Sequence, residues 1–243
     1  MVPEKLINEF VERMRSVAGP NLLAVILYGS AAAGDYIAEY SDVNLLCVLH
    51  ETSFAAIEAL APAIEWWGKQ KHRVPLLMSA EEMRRSADVF SIEFLDMRRN
   101  YRVLWGEDVL KTLEIPMRLH RAQVEYELRE KTILLRQRLL LVAGNTEAKW
   151  ELLLRSLPAF GTLFRHALIA LGDAGAGSGS KREVAVAVAG KLGIDASVFG
   201  ELLDIREHKK DRKAAKVDEM FARYLKLVEQ VTAGVDKMLD PAA

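Results

Sequence analysis

Apolar residues recur along the chain with two different periods, and the change between them divides it. Over residues 4–17, Leu6, Ile7, Phe10, Val11 and Met14 share one face at i, i+3, i+4 spacing, which predicts an amphipathic helix ended by Gly19-Pro20. Short apolar runs follow, too short for typical helices: Leu22–Tyr28, Asp42–Leu49, Val74–Met78 and Tyr101–Trp105 are predicted strands. Between the first two, Ser30–Gly34 is predicted to make one helical turn closed by Gly34, and Asp35 to Ser41 a polar loop. Residues 53–68 are predicted helical, with Phe54, Ile57, Leu60, Ala61 and Ile64 facing inward and a kink at Pro62. Ser79 and Glu82 form a capping box, and Asp88 is expected to cap a helix carrying Phe90, Phe94 and Met97.

Beyond Pro116 the helical period takes over. Helices are predicted over 117–142, 146–171 (bent at Pro158), 181–192, 196–208 and 214–239, with a second capping box at Ser180 and Glu183. The tract Asp173–Ser180 (DAGAGSGS) is a flexible loop by composition. The expected fold class is therefore an α/β (α+β) core with a small mixed sheet over residues 1–115, followed by an all-α helical bundle over 116–243.

Composition narrows the classes. With 243 residues, 51% hydrophobic and 28% charged, the chain can bury a real core, and disordered and fibrous classes are excluded. The net charge of −1 supplies no overall pull toward nucleic acid or an anionic membrane. That total hides an asymmetry: residues 1–115 carry 12 basic and 17 acidic side chains, residues 116–243 carry 21 and 17. No apolar run is long enough for a membrane span, and the first residues, MVPEKLINEF, lack the basic and apolar layout of a signal peptide. A single cysteine, Cys47, fits a reducing compartment, so a cytoplasmic location is expected.

One stretch carries chemistry: Leu27 to Leu49, LYGSAAAGDYIAEYSDVNLLCVL. A Gly-Ser at a strand-to-helix corner, Gly29-Ser30, exposes backbone amides where triphosphate oxygens bind. Acids at i and i+2 of a strand point to one face, where both can hold magnesium against those phosphates. In order and spacing, Gly29, Ser30, Gly34, Ser41, Asp42, Leu45 and Val48 resemble the signature of the DNA-polymerase-β-like nucleotidyltransferase superfamily. The resemblance implies a nucleoside triphosphate partner held by Gly29, Ser30, Gly34 and Ser41, and magnesium held at positions 42 and 44, the catalytic positions.

The signature fails at one of them. Position 44 is Asn, so Asp42 and Asn44 offer one charge where the family has two. The family also places a third carboxylate on the next strand, and His72–Met78 (HRVPLLM) contains no acid. Glu93 and Asp96 are nearby in sequence but on a predicted helix. A site so reduced holds Mg²⁺ weakly, and nucleotidyl transfer depends mainly on such electrostatic stabilisation.

The layout of core plus helices resembles the kanamycin- and streptomycin-type antibiotic nucleotidyltransferases, in which the helical part helps bind the acceptor. The net positive helical half does not favour a polycationic acceptor, and a neutral or anionic small molecule or protein hydroxyl fits better. A fused HEPN-type ribonuclease is not supported, because Arg165 and His166 are adjacent and Arg206 and His208 are two apart. His50, His72, His120, His166 and His208 show no metal-ligand spacing. Lys69, Lys71 and Arg73 lead into the third strand within reach of a triphosphate, although a solvated basic turn is the simpler reading. Three functions stay open: a nucleotide-binding protein with lost or weakened metal-dependent transfer, which is favoured; an active nucleotidyltransferase; and a non-catalytic module that forms a homodimer or binds a partner through apolar faces at 117–142 and 214–239.

Overall fold

The computed structural model describes residues 2–37, 39–173, 175 and 179–237. By internal contacts the chain divides into two compact units, Met1–Pro116 and Met117–Ala243.

The first unit is a four-stranded mixed sheet between two helical layers. Its strands are β1 (Leu22–Tyr28), β2 (Asn44–Leu49), β3 (Leu76–Ser79) and β4 (Tyr101–Gly106), in the order β3-β2-β1-β4. β1 runs antiparallel to β2 and to β4, while β2 and β3 are parallel. A parallel pair needs a crossover, and α3 (Phe54–Ala59) with α4 (Ala61–Lys69) supplies it. Alternate residues of β1 and β2 face opposite layers. Val25, Leu27, Leu45, Cys47 and Leu49 meet α1 (Glu4–Ala18) and α4 through Phe10, Met14 and Trp67. Ala24, Ile26, Leu46 and Val48 meet Met83 of α5 (Ala80–Ser86), Phe94 of α6 (Ser91–Arg99) and Leu110 of α7 (Val109–Thr112). Burial on both faces explains why these two strands read as continuous apolar runs.

Three expectations need correction. The second strand starts at Asn44 rather than Asp42, because its ladder with β1 ends at the pair Tyr28–Asn44 and the chain turns away at Gly29. The single helix expected over 53–68 is two helices joined at Leu60, with Pro62 in the first turn of the second, where its missing N–H costs nothing. Phe54, expected inward, is 81% exposed, and Ile57 and Ala61 are exposed too; Leu60 is buried as expected, and Ala63 and Trp67 complete the buried face. The next helix starts at Ser91, with Phe90 rather than Asp88 at its N-cap position, after a turn in which the amides of Val89 and Phe90 both donate to the Ser86 carbonyl. Both predicted capping boxes are present, at Ser79/Glu82 and Ser180/Glu183.

The second unit contains five long helices: α8 (His120–Val142), α9 (Thr146–Ala170), α10 (Lys181–Leu192), α11 (Ser197–Arg206) and α12 (Val217–Lys237). Phe160 and Phe164 of α9 meet Phe199 of α11 and Tyr224 of α12 in one aromatic cluster. Pro158 lies inside α9. Having no N–H, it leaves the Leu154 carbonyl without its intrahelical donor. The buried Arg206 Nη1 donates to that carbonyl at 2.7 Å. Within the expected loop Asp173–Ser180, residues 174 and 176–178 lie outside the described residues, as does the expected helix end at 238–239. Among the described residues no helix is long and apolar enough to cross a membrane.

Candidate functional site

The site begins where β1 stops. Gly29 has φ 76° and ψ −150°, a region open essentially to glycine alone. Its N–H donates to the Asn100 carbonyl (3.1 Å), and its own carbonyl accepts from the amides of Ala32 and Ala33. Ser30 thus opens a single helical turn, α2 (Ser30–Ala33), closed by Gly34 in the left-handed region. Four residues make a weak dipole, so this corner offers close backbone approach more than a helix field. A Cβ on Gly29 would stand 3.1 Å from Asn44 Nδ2, which shows how closely the corner abuts the start of β2.

Ser41 has a task inside the loop. Its Oγ accepts from the Ile37 amide (3.0 Å), and its own amide donates to the Ile37 carbonyl (2.7 Å). Gly29, Ser30 and Asn44 are therefore gathered at one end of the β1–β2 pair, while Ser41 ties the loop that leads to Asp42.

Asp42 lies just before β2, half exposed, with one carboxylate oxygen in an ion pair. That oxygen, Oδ2, lies 2.9 Å from Arg73 Nε. The register of the parallel pair produces this meeting. Each β3 residue lies opposite the β2 residue thirty positions earlier, Leu46 with Leu76 through Leu49 with Ser79. Continued backward, that offset brings residues 72 and 73 alongside 42 and 43. His72 and Arg73 are further held from the core. The buried Trp67 donates its Nε1–H to the Arg73 carbonyl (2.8 Å) and stacks on the His72 ring at 4.4 Å between centroids. Burial lowers the His72 pKa, and the Asp42 charge opposes that shift.

Tyr28, paired with Asn44 across the ladder, completes the surroundings. Burial raises its phenol pKa; the Arg73 charge lowers it and the Glu93 charge raises it. Of the two acids considered from sequence, Glu93 acts on Tyr28. Among the described residues no group of three or more His, Cys, Asp or Glu side chains is placed to hold a metal ion. A paired magnesium centre needs several anionic oxygens. Here it would meet one carboxylate already engaged by a guanidinium and one neutral amide, so these residues do not fit it. Sequence reasoning reads Trp66 and Trp67 as packing against the sheet, as Trp67 does, but it passes over Tyr28, and its simpler reading of Arg73 is a solvated turn cation. Only the β2–β3 register makes Arg73 a partner of Asp42.

The chain can be matched with a solved structure of spectinomycin adenyltransferase AAD(9) from Enterococcus faecialis, with ATP and spectinomycin, at a TM-score of 0.56. The match covers 94% of this chain and 98% of that one. The fold is that of an antibiotic nucleotidyltransferase. Sequence identity is only 14%, so the likeness concerns the fold and does not transfer residue roles to this nucleotidyltransferase-fold chain. No protein-family model matches the sequence, and no curated protein matches it.

Proposed function

We propose that this nucleotidyltransferase-fold protein binds a nucleoside triphosphate at the Gly29–Ser30 corner and has lost or greatly weakened metal-dependent transfer. The observation that carries the reading is the Asp42–Arg73 ion pair at 2.9 Å, beside a neutral Asn44. Nucleotidyl transfer is driven chiefly by positioning and by cations that offset developing charge on the phosphates. With one carboxylate, already neutralised, the chain cannot concentrate divalent cations there. What its own residues can do is bind. Gly29 lets a phosphate approach the backbone closely, Gly34 closes the turn, and the Ser30 hydroxyl lies at the corner. In this reading residues 1–115 form the nucleotide-binding domain, and the helical unit serves to bind an acceptor or a partner. The matched adenyltransferase was solved with ATP, which supports a nucleotide ligand.

A second reading, an active transferase delivering a nucleoside monophosphate to a small-molecule or protein hydroxyl, is favoured by one observation: the Glu93 charge reaches Tyr28. Calorimetry of the full chain with ATP and GTP, in EDTA and in excess Mg²⁺, separates these readings. We expect binding whose affinity changes less than about threefold with metal. Strong Mg²⁺ dependence together with pyrophosphate release would establish the active enzyme. No nucleotide binding in either condition would remove both readings and leave the interaction module.

A further inference from the structure

We propose that Arg73 stands in for the divalent cation: its guanidinium holds Asp42 and presents its outer N–H groups to the phosphates of a nucleoside triphosphate, so the site takes its ligand without metal. This rests on the nucleotide-binding reading above and specifies how the phosphates are recognised.

Three features of the molecule support it. First, the ion pair uses Nε, the inner nitrogen of the fork, and the Arg73 side chain is 74% exposed, with its terminal amino groups beyond the contact. A guanidinium carries five donors in a planar fork that matches phosphate oxygens two at a time. Second, the backbone at Arg73 is fastened by the hydrogen bond from Trp67, a side chain with no solvent exposure, three residues before the β2–β3 ladder begins at Leu76. The cation is therefore delivered from the core rather than from a wandering turn. Third, Lys69 and Lys71 precede it in the same short segment, where Lys71 takes φ 63° to turn the chain. A polyphosphate bound here meets a basic approach on the strand side and the Gly29–Ser30 corner on the other.

The same placement excludes metal. A divalent ion on Asp42 would have to share the carboxylate with the Arg73 guanidinium, and like charges brought together there repel. Restoring the missing acid at position 44 alone therefore does not restore a metal site. Because an exposed ion pair contributes little to fold stability, Arg73 can be replaced without unfolding the chain.

The test uses the full chain in two series, each checked by circular dichroism for an unchanged fold. In the first, Mn²⁺ alone is titrated by electron paramagnetic resonance into the wild type, Asn44→Asp, Arg73→Gln and the Asn44→Asp/Arg73→Gln double variant. The expected result is no affinity better than millimolar for the wild type and Asn44→Asp, and a gain of about tenfold or more for the double variant. Equal Mn²⁺ affinity for Asn44→Asp and the double variant would overturn the exclusion. In the second series, ATP is titrated in EDTA. Arg73→Gln should weaken binding about tenfold or more, and Arg73→Lys should recover part of it, because lysine keeps the charge without the fork. An Arg73→Gln protein that binds ATP in EDTA as the wild type does would overturn phosphate recognition by Arg73. If the wild type binds no ATP under any condition, the nucleotide reading and its phosphate contact fall together, while the Mn²⁺ series still decides whether Arg73 excludes metal.

Discussion

At Gly29 the backbone lies in a region that other residues enter only with strain, and the space where a Cβ would stand is closely bounded by Asn44 Nδ2 at 3.1 Å. Replacing Gly29 with Ala is expected to cost about 1–3 kcal/mol, read as a lower urea midpoint at an unchanged slope. An unchanged midpoint would mean that the corner relaxes freely. The same change at Gly34 should cost less, since its left-handed backbone faces open space. These glycines were legible in the sequence because each punctuates a short element, and their required conformations are local. The Asp42–Arg73 contact was not legible, because it depends on the offset between two strands separated by two helices. The strand boundary at Asp42 was hidden for a related reason: a run of apolar residues does not show where a ladder loses its partner.

Elements were readable where their ends carry side-chain chemistry and unreadable where tertiary turns intervene. The boxes at Ser79/Glu82 and Ser180/Glu183 satisfy amides three residues apart, a pattern visible in any sequence. The start of α6 was less legible, because the turn over Ser86 sets it at Ser91, three residues past Asp88. Helix α9 shows a dependence no local pattern reveals: the carbonyl that Pro158 leaves free is taken up by Arg206 from α11. Arg206→Met is expected to destabilise the protein by about 1–3 kcal/mol, because the Leu154 carbonyl then loses the guanidinium that replaces its intrahelical donor. In a Pro158→Ala background the intrahelical bond returns and the cost should shrink; equal costs in both backgrounds would refute the coupling.

The start of α8 carries a titration of its own. His120 is buried against His166, with ring nitrogens 3.4 Å apart. Burial depresses the His120 pKa, and a hydrogen bond with the His166 backbone opposes this only in part. A histidine whose folded pKa lies below its unfolded value contributes stability that is complete above the unfolded value and is lost as pH falls below it. Denaturation midpoints of the wild type should therefore drop as pH is lowered from 7 toward 5, more steeply than those of His120→Gln. Parallel profiles for the two proteins would contradict this.

For the whole molecule, the division at Pro116 coincides with an exposed run, residues 116–119, that precedes α8. Brief native digestion with trypsin is expected to cut after Arg118 and leave two helix-containing fragments; early cleavage scattered through the long helices would argue against two self-contained units. The charge asymmetry follows the same division, and it was visible in composition before any coordinate. The placement of Arg73 has a further consequence, for what the chain can become. Asparagine and aspartate codons differ by one base, so a second acid at position 44 is a single mutation away. On the proposal that Arg73 is the resident cation, that mutant would gain a negative charge but no magnesium, and selection for transfer would find nothing to reward. Two changes would then be needed before either is useful, and the ion pair between residues 42 and 73 would work as a ratchet in sequence space.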